Sequence, residues 1–564
     1  MEARLLIAFL LMGVVLFVTP YLYKPAPAPQ GKENVTPEKA AQVTQPPPAA
    51  TPAPSAPTKT PEIAAPAAAG SAAPVKGDKE EIFEVDTQLY HITFSNKGGV
   101  VKSWKLKKYQ DLDGKPLELI HVAALAKVPP PFSLDYKDRK PDADLNQALW
   151  AAKPSDDKLG IDYDYSDGKL TAHKSFRFGA DTYLSNLESQ VAIAGVPVPH
   201  LLVWRGGFGD QSVASAPSVE RSLFYDTSAA KLNFKVAKDA KNGPVSSTGA
   251  YSFAGLEDTF FTGVVLPQGT GSVELRTYSD SIPTGKDQKE EPFVGAGVGG
   301  DGVNRFEMFV GPKDTDILKK VNPKLEQAID WGRWFGWLAK PLFIALNWTN
   351  DRITHNYGWA IVLVTIGLNM LLLPVRLSGM KSAKKMASLQ PQIQTINAKY
   401  KNLGLRDPKQ ADKNAEVMEL YKKHGVNPIA SGCLPLLFQF PFFISFYTVL
   451  TVAIELRGAH WFWVSDLSRP EQLAIRILPV ILIATQFISQ KLTPPSPGVD
   501  PAQQKAMMIM PLALGFMFYY QSAGLVLYWL TGNLVGIVQQ SLMNRATKMP
   551  APATVVDVKP TKKR

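Results

Sequence analysis

Within the apolar stretches of this 564-residue chain stand uncharged polar side chains able to do chemistry: Thr365, Asn369, Gln439, Thr485, Gln486, Tyr528, Thr531 and Asn533. In hydrocarbon each such group needs a partner or water. Thr365, Asn369 and Arg376 differ by four and seven positions. A continuous helix therefore puts them on one face, with Arg376 roughly 10 Å along the axis from Asn369 at ~1.5 Å per residue. Pro374 stands between them, placed to kink that helix. Two readings stay open: hydrogen bonds between helices, or a hydrated groove that carries polarity from mid-membrane to its inner boundary. Asp and Glu are absent from the apolar stretches, the nearest being Glu455 and Glu471, whereas proton-coupled carriers rely on intramembrane carboxylates. Cys433 is the single cysteine, which excludes a disulfide framework and a cysteine metal cluster and is best read as a small buried residue. No cofactor, metal site or catalytic residue is expected.

Six apolar stretches hold these residues, at 5–23, 357–373, 428–454, 473–490, 503–520 and 524–542. Each is near or above the roughly 17 residues that cross hydrocarbon as a helix. The net charge of +11 is concentrated beside them. Residues 375–424 carry 11 Lys/Arg against 4 Asp/Glu, and 544–564 carry 6 against 1, which places both in the cytoplasm by the positive-inside rule. The pattern predicts a multi-pass α-helical membrane protein with six spans and both termini cytoplasmic. Residues 1–23 read as an uncleaved signal anchor, because the small-residue triplet at Ala26–Ala28 contains Pro27 and precedes Pro29.

Residues 24–80 form a Pro/Ala-rich tether, with 13 prolines and no aromatic residue between 24 and 79, too poor in apolar surface to offset the entropy of ordering. Residues 81–322 alternate as half-buried strands do, for example at Tyr90–Phe94 and Phe306–Val310, and predict a large antiparallel β-sandwich on the periplasmic side. Sandwiches of this size often bind or process sugars, yet His91, His121, His173 and His200 show no ligand-like spacing. Residues 323–356 contain an interfacial amphipathic helix, expected at 329–347, with Trp331, Trp334, Phe335, Leu338 and Leu342 on an arc opposite Arg333, Lys340 and Asn347. Residues 357–546 form the five-span core. Between its first two spans, 375–424 should fold as a helical hairpin, with Met386, Leu389, Ile393, Ile396 and Tyr400 facing Ala411, Ala415 and Met418 across a turn at 402–404, and Pro391 bending the first helix. Its basic outer face suits solvent, anionic headgroups or ribosomal RNA. Residues 547–564 are a basic tail.

The run Gly432-Cys433-Leu434-Pro435-Leu436-Leu437-Phe438-Gln439-Phe440-Pro441 resembles the third-span signature of the YidC insertases. Leu389-Gln390-Pro391, Gln503-Gln504-Lys505 and Ser522-Ala523-Gly524-Leu525-Val526-Leu527-Tyr528 are similar to the same family, strongly over 331–546. Asp258-Thr259-Phe260-Phe261 and Val310-Gly311-Pro312 extend the likeness more weakly into the β domain. The resemblance implies a membrane protein insertase and chaperone, acting on nascent membrane proteins alone or with the Sec translocon, and meeting ribosome and membrane lipids. It also implies location in a bacterial inner membrane and five spans around a groove open to cytoplasm and lipid, where an arginine attracts acidic substrate tails. At the position matching that arginine, four after Thr365 and five before Pro374, this chain has Asn369. Substrate contacts carry over to Thr365 and Tyr528. The candidate groove is thus Thr365, Asn369, Arg376, Gln439, Tyr528 and Asn533. Two further classes stay in view: a small-solute transporter, disfavoured by the missing carboxylates and repeats, and a membrane-anchored periplasmic sugar-binding domain.

Overall fold

Alternating side chains build the β domain. In the strand Tyr90–Ser95, Tyr90, Ile92 and Phe94 are buried while His91 and Thr93 are half-buried, the period-2 signature of a sheet with one covered face. The computed structural model describes residues 73–546 apart from 138, 213–218, 270, 285–288, 333, 401–408, 426–427, 493–511 and 513–514. The expected anchor at 1–23, most of the tether, Arg333, the turn at 402–404, most of the fifth apolar stretch and the tail at 547–564 lie outside the described residues.

Three antiparallel sheets of four, ten and five strands make the β domain. In the ten-stranded sheet, Phe261–Pro267 pairs with Val303–Pro312, which pairs in turn with Leu184–Ile193. In the five-stranded sheet the long hairpin Val273–Thr284 with Lys289–Gly299 lies beside Leu201–Trp204. Leu202, Trp204, Ala296 and Val298 of this sheet join Leu187, Leu256, Val264 and Met308 of the larger one in one core. The Ser222 and Thr277 hydroxyls, 2.8 Å apart, bridge the two sheets inside it. The tether ends earlier than expected: Val75 pairs with Ser166, and Asn96 donates to the Lys79 carbonyl at 3.0 Å, so residues 75–80 are tied to the β domain by backbone bonds that composition does not reveal.

Nine helices are described beyond the strands: α1 Thr315–Val321, α2 Gly336–Thr349, α3 Tyr357–Leu371, α4 Leu373–Ser388, α5 Gln390–Lys399, α6 Lys409–Lys423, α7 Pro428–Val452, α8 Ile477–Leu492 and α9 Ala523–Ala546. Among the described residues no single helix is long and apolar enough to cross a membrane; α3 and α4 qualify only as a pair bent by 59°. Helix α2 starts later than expected, at Gly336, because Leu325–Ala328 forms a separate 3-10 turn and Trp331 packs on Phe343 with ring centroids 4.8 Å apart. Its buried side is Ala339, Leu342, Phe343 and Leu346, while Trp337, Ile344 and Trp348 are exposed. In the hairpin, Leu389 and Ile393 do pack against α6, but through Val417, Leu420 and Tyr421. Ala415 and Met418, expected on that seam, are exposed, since α6 is rotated to turn Val417, Leu420 and Tyr421 inward.

Candidate functional site

Helix α3 is apolar along its length and is opened by Asn356, whose side chain accepts the Trp359 N–H at 3.3 Å. Thr365 is fully buried, and its hydroxyl donates to the Ile361 carbonyl at 2.6 Å. Asn369, also buried, donates through Nδ2 to the Thr365 carbonyl at 2.7 Å. Both donors are thus spent on their own helix, as buried hydroxyls and amides in apolar helices often are. The Asn369 Oδ1 has no hydrogen-bond partner among the described residues.

The helix then breaks. Pro374 sits in the first turn of α4, where a missing N–H leaves nothing unsatisfied, and the 59° bend redirects everything after it. The single straight face expected for Thr365, Asn369 and Arg376 is therefore interrupted at Leu372. Arg376 reaches across to two other helices: its Nη2 donates to the Gln439 Oε1 of α7 at 2.5 Å, and its Nη1 to the Gln539 Oε1 of α9 at 3.4 Å. Among the described residues the charge is held by amide oxygens and not by a carboxylate. Gly536, one turn before Gln539, faces the same guanidinium: a Cβ there would lie 4.0 Å from Nη1, an ordinary contact.

Of the six expected residues, the structure joins Arg376 to Gln439, and Thr365 to Asn369. Tyr528 is buried among rings, 4.7 Å from Phe446 and stacked on Phe443 at 6.3 Å. Asn533 lies on α9 with its Nδ2 unpartnered among the described residues, as is the Nε2 of buried Gln539. Gln539 was missed. The signal was present in the spacing of Asn533, Gly536 and Gln539, which share one face of α9.

The segment after α7 meets the β domain through buried charge. Gly209 adopts φ +96°, and a Cβ there would lie 2.1 Å from Asp258 Oδ2, so a glycine lets the chain turn Asp210 inward. Asp210 is 2.5 Å from Arg457 and 3.4 Å from Arg469. Both arginines also donate to the Gln110 carbonyl at 3.0 Å. Burial raises the Asp210 carboxyl, but the Arg457 charge and the Ser212 hydrogen bonds outweigh it and hold it below the usual carboxylate range. Glu471, expected beside a span, caps α8 by accepting the Ile477 and Leu478 N–H groups at 3.0 and 2.9 Å.

The four histidines of the β domain do not converge, and among the described residues no group of three or more His, Cys, Asp or Glu is placed to hold a metal ion. Ser189 and His200 Nε2 lie 2.8 Å apart, the spacing of a nucleophile and its base. His200 is 1% exposed, and its Nδ1 faces the Val198 carbonyl at 2.9 Å, so Nε2 is the acceptor for both Ser189 and Asn304. Burial lowers this imidazole to about 4. With no access to substrate and no carboxylate behind the ring, the trio ties strands together.

Comparison with known proteins covers the whole chain. Residues 348–551 match the family described as 60Kd inner membrane protein, and residues 82–345 match the one described as YidC periplasmic domain. The chain is 34% identical over 571 residues to a membrane protein insertase YidC of Syntrophus aciditrophicus (strain SB), covering 97% of this chain and 100% of that protein. It is likewise 34% identical over 571 residues to a membrane protein insertase YidC of Geobacter metallireducens, covering 97% and 99%. A crystal structure of an active YidC insertase with its first transmembrane domain resolved aligns with a TM-score of 0.36 and 21% identity, over 84% of this chain and 94% of that one.

Proposed function

Because this chain belongs to the YidC family of membrane protein insertases, we propose that it passes short polar segments of nascent inner-membrane proteins through a hydrated groove whose positive charge is Arg376. The observation that carries this reading is the arginine's setting. A guanidinium held, among the described residues, by the side-chain oxygens of Gln439 and Gln539 keeps its charge for an incoming carboxylate. Three amide atoms without partners among the described residues, Asn369 Oδ1, Asn533 Nδ2 and Gln539 Nε2, add donors and an acceptor for water or substrate backbone. Carrying a charged residue through hydrocarbon costs about 2.5–3.5 kcal/mol on insertion scales, so a wet, positively charged path removes a large part of the barrier.

In this account the family's arginine has moved. Asn369 stands at its position and hydrates the groove, while Arg376, beyond the bend, attracts acidic tails. The work is that of an insertase and chaperone without catalytic chemistry. Six spans with both termini cytoplasmic, and partnership with the Sec translocon, the ribosome and anionic lipid, complete the proposal; the basic hairpin of α4 to α6 supplies the cytoplasmic surface for the last two. The exposed Trp337 and Trp348 of α2 suit the outer headgroup layer.

Photo-crosslinking tests the groove directly. Reactive side chains at 365, 439 and 533 should capture a stalled nascent chain that carries an acidic tail. Crosslinks to lipid alone, with none to the nascent chain, would refute the groove.

A further inference from the structure

Beyond α7 the chain makes a 3-10 turn, Ile454–Leu456, that joins the two cores of the molecule. Ile454 belongs to the core of the β domain, and Leu456 to the core shared by α2, α3, α7 and α9. Glu455 stands between them. Its Oε2 is buried and has no hydrogen-bond partner among the described residues.

The groups that act on this carboxyl come from every side of the joint. Asp314 and Asp316 open α1, and Asp351 lies in the π turn Asn350–Thr354 that precedes α3. Tyr109 of the β domain and Tyr357 of α3 both feel its charge. Arg457, two residues on, is spent on Asp210 at 2.5 Å and on the Gln110 carbonyl at 3.0 Å. The joint thus holds one carboxyl among three others, with the cation of its own segment committed elsewhere.

Ionising such a group in place strips water from the charge and sets it against its neighbours. Burial raises the Glu455 carboxyl from 4.5 to about 7; its own backbone N–H opposes the rise, and Asp314, Asp316 and Asp351 add to it. Asp210 behaves differently. It is held below the usual carboxylate range and stays ionised over the same interval.

We propose that Glu455 is a proton-operated latch between the β domain and the helices: protonated, it lets the joint close, and on ionising it opens the joint to water. In the opened joint the carboxyl regains water and returns toward its ordinary range, so the closed form binds the extra proton and is favoured as pH falls. With one proton coupled, closure weakens by up to about tenfold per pH unit across that interval. The latch is separate from the groove and does not rest on the role of Arg376.

The test is hydrogen exchange on the full chain in lipid nanodiscs, read by mass spectrometry for peptides covering 453–458. Rates at about pH 5.5 and 7.5 are divided by the intrinsic amide rate at each pH, and the strand Tyr90–Ser95 serves as internal reference. Wild-type protection at 453–458 should fall roughly tenfold between the two, with the reference unchanged. Glu455→Gln cannot ionise, so it should keep at both pH values the protection that wild type shows at the lower one. Asp351→Asn, on an exposed turn, removes one repelling charge and should make the fall smaller. Equal wild-type protection at both pH values, a parallel fall in the reference strand, or a fall that persists undiminished in either variant would overturn the proposal.

Discussion

Asp210 of the β domain and Arg457, in the segment after α7, meet at 2.5 Å with side chains only 2% and 3% exposed. Removing one partner of such a buried pair strands the other charge, which typically costs about 3–5 kcal/mol. Asp210→Ala should therefore lower the melting temperature in calorimetry and speed hydrogen exchange across 457–469. Exchange and melting equal to wild type would mean that the pair holds nothing together.

Lys174 predicts a pH effect. It is fully buried, and its ammonium donates to the carbonyls of Gly98, Gly99 and Phe132 at 2.7, 3.1 and 2.8 Å. Burial lowers its pKa from 10.5 to about 7. Between those values the unfolded chain binds more protons than the folded one, so stability rises with pH above about 7, by up to ~1.4 kcal/mol per pH unit. Denaturant titrations between about pH 7 and 9, below the ordinary tyrosine range, should show this slope in wild type and lose it in Lys174→Met. Parallel slopes in the two proteins would contradict the assignment.

Topology is tested by fusions. Reporters after Lys79 or within 457–470 should be periplasmic, and reporters within 399–413 or after Arg564 cytoplasmic, because the basic segments stay inside. A cytoplasmic reporter at His200 would sink this arrangement.

Local periodicity made the strands legible. Tyr90–Ser95 and Val303–Pro312 alternate because each covers one face of a sheet, and that information lies within a few residues. The Asp210 and Arg457 pair was invisible, since its partners are 247 residues apart and each is an ordinary charge in its own segment. The candidate groove sat between these cases. Thr365 and Asn369 share a helix and could be paired from spacing, but Arg376 is turned by the bend at Leu372 toward α7 and α9, so its partners depended on tertiary packing. Gln439 was readable as a polar residue in an apolar run; its bond to Arg376 was not. For α6 the expected positions were out of register, because Val417, Leu420 and Tyr421, and not Ala415 and Met418, turn toward Leu389 and Ile393.

Arg376 as the groove's charge and Asn369 as its wetting group stand or fall together. The most direct measurement is insertion yield, in a strain depleted of wild-type protein, for paired substrates that differ only in a neutral or acidic tail. Arg376→Ala should lower the acidic member about tenfold and leave the neutral one nearly unchanged, the size expected for ~1.4 kcal/mol of charge attraction in a partly dry site. Asn369→Arg in that background should restore it, and Asn369→Leu alone should impair both substrates by drying the groove. If Arg376→Ala reduces both substrates equally while Asn369→Leu behaves as wild type, the two residues are packing and boundary residues, and the groove has been assigned to the wrong side chains.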